Sequence, residues 1–304
     1  MEIKTTDDKT YYNRETPIKM KFIEDFVKQK DDINIVYDIG CNNGDISYNL
    51  QKNYDKKVFG IDLSDELNPP SDYNFRRIDI VNDNGILMND CTLFLSLYHH
   101  ILGNNGIDVA DDLFYKLLLR TKYLIFDCGN LSEKDRSDTY WYKKQEEYFK
   151  DEKELLDHFH IKYDIIGIWH AGGGKRTVVV FYSDDFDDKC EVINSYKRKI
   201  GTHYQQEGLF DVNKCYEDQE FFEKTIFKKL NNKTFFSKKH LTDDYHKDEL
   251  ENIIEIYNII NPIKLIKFYG VSKEYGYIYE WLNNFKNIDT MCKYHNDLKA
   301  DNVL

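Results

Sequence analysis

An α/β domain on a mostly parallel sheet, followed by a smaller α+β domain, is what this 304-residue sequence predicts. From Ile33 to about Tyr182, short apolar runs alternate with amphipathic stretches of helix length, the rhythm of β-α-β units. "IKYDIIGIWHAGGGKRTVVVFY" then places two strands around a glycine turn, so the sheet is expected to close with an antiparallel hairpin at Gly172–Gly174. Finally, the acidic, turn-rich "SDDFDDKCE" (Ser183–Glu191) interrupts, and the pattern changes after it. The expected domains are residues 1–184 and 185–304.

In the first domain, "INIVYDIG", "KKVFGIDL", "FRRIDIV", "CTLFLSLY" and "TKYLIFDCG" read as strands, spaced by helical stretches such as Asp45–Lys52 and Ala110–Leu119. In the second, "KTIFKKLNNKTFFSKKHL" reads as strand, Asn231-Asn232 turn and strand. A helix follows with Leu250, Ile253, Ile254, Tyr257 and Ile260 at helical spacing, ended by Pro262; "IKLIKFYG" and "YGYIYEWL" add two strands.

The hydrophobic share, 41%, is ample for a buried core. No apolar run reaches the roughly 18 residues of a membrane span, and "MEIKTTDDKT" lacks the apolar stretch of a signal peptide. Six scattered cysteines without a C-x-x-C pair suggest free thiols in a reducing cytoplasm rather than a zinc site. A formal charge of −12 weighs against a nucleic-acid partner.

The chemistry of the first domain starts at "VYDIGCNNGDIS". Asp38, Gly40 and Gly44 make D-x-G-x-x-x-G between a strand and a helix, with Cys41 inside the turn. Glycines allow a sharp turn that brings backbone N–H groups to a ligand, and the following helix favours an anion at its start. A dinucleotide fingerprint would need a glycine where Asn42 stands, which disfavours a nicotinamide cofactor. Asp62 ends the next strand, placed to accept bonds from ribose hydroxyls, and Asp79 ends the third, within reach of an adenine edge.

On these residues, Ile33–Tyr182 resembles the class I S-adenosylmethionine-dependent methyltransferases. The resemblance implies a Rossmann-like, seven-stranded methyltransferase sheet whose last hairpin is antiparallel. Methyl transfer needs mostly alignment of donor and acceptor, so the segment after the fourth strand, "LSLYHHILG", is expected at the acceptor. His99 and His100 are candidates for a base or an anion ligand, or for packing the next helix; Tyr98 reads as core. Arg14, in "YYNRETP" where such domains often carry a lid, is a candidate to fork a phosphate or carboxylate. Tyr140, Trp141, Tyr142 and His170 rank behind these.

In the second domain, "HNDLKADNVL" matches the kinase catalytic loop H-x-D-L-K-x-x-N. This resemblance implies a kinase-like N-terminal lobe binding ATP and Mg²⁺. Asp297 would orient the acceptor hydroxyl, Lys299 would neutralise the moving phosphoryl group, Asn302 would hold magnesium and His295 would buttress the loop. Lys238 is preferred over Lys239 as the lysine that pairs the α/β-phosphates, and Glu255 over Glu251 as its partner; "YIYEWL" resembles the hinge. No G-x-G-x-x-G precedes the lysine strand. The sequence reaches Leu304 before any D-F-G motif, so the kinase half is expected to be incomplete and inactive, or a pseudokinase remnant.

A methyltransferase followed by a kinase resembles the bifunctional kinase–methyltransferases that terminate bacterial O-antigen chains. That implies an anionic acceptor, a phosphorylated glycan. "DIGCNNGDIS" also resembles the bicoid-interacting RNA 5′-phosphate methyltransferases; a non-catalytic scaffold is the third reading.

Overall fold

A computed structural model describes residues 11–82, 88–171, 174–189, 191–200, 221–230, 233–240, 268–272 and 276–280. Seven strands form the first sheet: β1 (Ile35–Ile39), β2 (Lys57–Asp62), β3 (Asn74–Arg77), β4 (Asn89–Leu95), β5 (Thr121–Asp127), β6 (Tyr163–Ala171) and β7 (Gly174–Tyr182). Their order is β3-β2-β1-β4-β5-β7-β6. Neighbours from β3 to β5 pair in parallel, whereas β7 runs antiparallel to both β5 and β6. This seven-stranded, mostly parallel sheet with an antiparallel last hairpin is consistent with the Rossmann-like sheet expected from the sequence. Its closing hairpin pairs Ala171 with Gly174.

The central strands are buried almost throughout, so they read as continuous apolar runs. Side chains alternate between faces. On one face Tyr37, Phe94 and Phe126 pack against α3 (Tyr98–Asn105) and α4 (Ile107–Leu118). On the other, Val36, Leu93 and Ile125 pack against α1 (Tyr11–Lys28) and α2 (Ser47–Tyr54). Phe114 of α4 stacks on Phe159 with ring centroids 3.6 Å apart and planes 9° from parallel.

Helix α1 corrects the sequence reading, which gave this segment no helix. Its buried stripe, Ile23, Phe26 and Val27, follows helical spacing, and Lys19 stands on the same stripe one turn earlier. Phe22 packs where β6 has Gly167; a Cβ there would fall 2.1 Å from the Phe22 ring. Boundaries also move: α2 starts at Ser47, α4 at Ile107, and β3 ends at Arg77, before Asp79.

A second sheet comprises β8 (Glu191–Ile200), β9 (Phe221–Leu230), β10 (Lys233–His240), β11 (Phe268–Ser272) and β12 (Gly276–Glu280), in the order β11-β12-β10-β9-β8. Every pairing in it is antiparallel. The expected hairpin is present, with Leu230 opposite Lys233; β8 was not anticipated, because the reading placed the acidic boundary over its start. Lys238 lies in β10, opposite Thr225 and Tyr277. Glu251, Glu255, His295, Asp297, Lys299 and Asn302 lie outside the described residues. Among the described residues, no helix is long and apolar enough to cross a membrane.

Candidate active site

In open α/β sheets, ligands bind beyond the carboxyl ends of the strands where strand order reverses. Here the reversal lies between β1 and β4, and a cleft of about 580 Å³ opens there. That size suits a small-molecule ligand. The lining changes charge across the sheet. Asp38 and Asp62, from β1 and β2, and Asp45 from the turn make one end acidic. Lys19, Arg136 and Arg176, from α1, the turn after β5, and β7, make the other basic.

At the acidic end the chain turns sharply after β1. Gly40 and Gly44 have φ of +75° and +83°, and Asn42 is left-handed at +52°. Gly44 also lacks room for a side chain: a Cβ would meet the Tyr73 ring at 2.6 Å. The turn lines the cleft through Gly40, Cys41 and Asn42, yet its first amides are not bare, as the sequence reading supposed. The N–H groups of Gly40 and Cys41 donate to Ile61 O (2.8 and 3.1 Å), and that of Asn42 donates to Asp62 Oδ2 (2.9 Å). They tie the turn to β2, so ligand contact at this end falls to the carboxylates and the cleft walls.

Asp62 is held by that bond and by the Ser64 N–H on Oδ1 (3.0 Å), and it lines the cleft. Each carboxylate oxygen accepts more than one hydrogen bond, so Asp62 keeps acceptor capacity toward the cleft. Asp38 is buried, and desolvation raises its pKa to about 6 against the opposing hydrogen bond of Ser47 and the charge of Lys19. A cationic ligand nearby would favour its ionised form. Asp79 is not among the residues that line the cleft; its carboxylate accepts from Val81 N–H and the Asn82 amide, closing a local turn.

The basic end is built around Ser96, which follows β4 at φ +53°. Left-handed non-glycine residues are uncommon and concentrate at functional sites. The Ser96 hydroxyl donates to Asp127 Oδ1 (3.1 Å) and accepts from Lys19 Nζ (3.0 Å) and Arg176 Nη1 (3.0 Å). Beneath this hub, buried Arg176 forks onto buried Glu133 through Nε–Oε1 (2.7 Å) and Nη2–Oε2 (2.9 Å). Asp127, fully enclosed, faces Lys19 at 3.4 Å. Both cations also lie over the Trp169 ring.

The two histidines divide. His99 is buried and accepts the Gly129 N–H on Nδ1 (3.0 Å). A backbone N–H only donates, so the neutral ring carries its proton on Nε2. Burial, with His100, Arg176 and Lys19 nearby, holds its pKa well below the usual value. His99 therefore lines the cleft as a neutral ring with its proton on Nε2. His100 bonds Tyr140 Oη through Nδ1 (2.7 Å), and burial and Arg176 lower its pKa.

Tyr98 is core, donating to Asp111 Oδ1 (2.7 Å). Trp141 of α5 (Tyr140–Glu146) lines the cleft against His99, whereas the Tyr142 hydroxyl donates to Leu131 O. Arg14 lies in α1, five residues before Lys19. The sequence reading missed Lys19, Ser96 and Arg176. The available signals were a lysine on an apolar helical stripe and an arginine opening the buried run "TVVVF".

No protein-family model matches the sequence, and no curated protein matches it. Among solved structures, the bifunctional kinase–methyltransferase WbdD is similar at 17% identity and a TM-score of 0.46, over 92% of this chain. The chain spans 64% of the length of that structure. The plantazolicin methyltransferase BpumL, solved with SAH, is similar at 16% identity and a TM-score of 0.42, over 57% of this chain and 88% of its own. The methyltransferase domain of bacterial CtHen1 is similar at 14% identity and a TM-score of 0.41, over 55% of this chain and 98% of its own.

Proposed function

We propose that residues 1–184 form an S-adenosylmethionine-dependent methyltransferase that methylates an oxygen of an anionic acceptor, a phosphorylated glycan. The observation that carries this reading is Asp62 in the cleft at the strand reversal, bonded to the Asn42 amide of the glycine turn. Asp62 would hold the ribose, while Asp38 and Asp45 suit a ligand that carries positive charge. The cofactor supplies a methyl group on a sulfonium, which is a good leaving group. The protein supplies alignment, and the basic end of the cleft suits an acceptor with negative charge.

Residues 185–304 are proposed to belong to a kinase lobe that binds ATP and Mg²⁺, with Lys238, Glu255, Asp297, Lys299 and Asn302 in the roles implied by the catalytic-loop resemblance. The same basic end also suits the 5′-phosphate of an RNA, but the formal charge of −12 opposes nucleic acid.

Calorimetric titration of S-adenosylmethionine into the folded protein tests the reading. Binding is expected, with at least a tenfold loss in Asp62→Ala; a folded sample that binds none defeats it. Labelled methyl appearing on RNA and not on a phosphorylated glycan would replace the acceptor with the alternative.

A further inference from the structure

We infer that Lys19, Ser96, His99 and Arg176 form a composite oxyanion subsite, which takes a sugar-borne phosphoryl or carboxylate group that arrives already ionised. The inference rests on the methyltransferase reading for its role, but its geometry is independent of the glycine turn. All four residues line the cleft, on the side away from Asp62.

The donor set is one-sided. Lys19 carries three N–H protons and Arg176 five. Ser96 Oγ, accepting from both within 3.0 Å, holds the two cations side by side despite their repulsion. His99 adds a neutral ring whose proton is fixed on Nε2 by the Gly129 amide. None of these groups is a ready base: two are cations, one hydroxyl already donates to Asp127, and the histidine is locked as a donor. Among these four groups a neutral hydroxyl would find no partner to take its proton; His100, its ring centroid 4.2 Å from that of His99, is the remaining base candidate in the cleft. An oxyanion finds preorganised donors and needs none.

The counter-charges support this assignment. Asp127 and Glu133 sit behind the cations and are fully buried. They orient Lys19 and Arg176 without lining the cleft themselves, so the groups that a ligand meets are the N–H donors and not the carboxylates. The left-handed backbone at Ser96 is conformational strain retained where the hydroxyl is needed. Ser96 is thus a positioning residue, and glycine at 96 would relieve the strain while removing the hub.

The test loads the protein with S-adenosylhomocysteine and titrates three probes: α-D-mannose 1-phosphate, D-glucuronate and neutral methyl mannoside. At least one charged probe is expected to bind at least tenfold tighter than methyl mannoside, and the stronger of the two identifies phosphoryl or carboxylate as the recognised group. Ser96→Gly and Arg176→Lys are each expected to weaken it at least tenfold while leaving S-adenosylhomocysteine affinity unchanged. The inference is overturned if neither charged probe binds the loaded protein, if the neutral sugar binds equally well, or if both variants bind the anion like the parent. Failure of S-adenosylhomocysteine to bind a folded sample would instead overturn the methyltransferase reading, and this inference with it.

Discussion

Arg176 and Glu133 meet in a two-point contact, Nε–Oε1 at 2.7 Å and Nη2–Oε2 at 2.9 Å, with both side chains shielded from water. Breaking one partner of such a pair strands a charge in a medium that solvates it poorly. Glu133→Ala is therefore expected to lower stability by about 3–5 kcal/mol, measured by urea denaturation. A loss under about 1 kcal/mol would mean that the guanidinium finds water or a new partner.

Asp38 gives a pH signature whose sign is fixed. Its folded pKa, about 6, lies above the ordinary aspartate value of 3.8 because burial penalises the anion. The protonated carboxyl thus favours the fold at low pH, and this contribution is lost as pH rises from about 4 through about 6. A shift of this size corresponds to about 3 kcal/mol. Asp38→Asn is expected to be stabilising relative to the parent at pH 7.5 by about 1–3 kcal/mol and close to neutral at pH 4. Equal differences at the two pH values would refute the assignment.

Two glycines separate backbone strain from crowding. Gly106 joins α3 to α4 at φ +87° and ψ 169°, and a Cβ there would meet nothing within 4 Å. Gly106→Ala should cost about 1–3 kcal/mol from the backbone alone. Gly44→Ala adds the encounter with Tyr73 at 2.6 Å and should lose more, with weaker S-adenosylmethionine binding that Gly106→Ala does not share. Parallel denaturation and calorimetry decide this; a milder effect at Gly44 would contradict it.

In the core, the Phe114–Phe159 stack anchors α4 against the segment before β6. Phe114→Ala is expected to cost about 3–5 kcal/mol through lost transfer energy and the cavity left behind. Thermal or urea melting would show it, and an unchanged midpoint would mean that the site collapses without penalty.

Much of the first sheet was legible because its signals are local. Strands alternating with helices, a glycine turn after β1 and a hairpin at Gly172–Gly174 each declare themselves within a few residues. The acidic end of the cleft was legible for the same reason, since Asp38, Gly40, Gly44 and Asp62 lie on two consecutive strands and the turn between them. The basic end was not. Lys19, Ser96, Asp127, Glu133 and Arg176 come from α1, the β4 and β5 ends, a loop and β7, and no spacing in the sequence relates them. His99 was found by position, but its role depends on the amide of Gly129, 30 residues away. Asp79 shows how one residue type serves two ends, since a terminal aspartate also closes its own turn.

The two halves of the cleft are furnished by different strands, and Lys19 links them, since its charge favours the Asp38 anion. A combinatorial library confined to position 136 and to lysine–arginine exchanges at 19 and 176 would vary the choice of partner molecule while keeping the cations that answer Asp127 and Glu133.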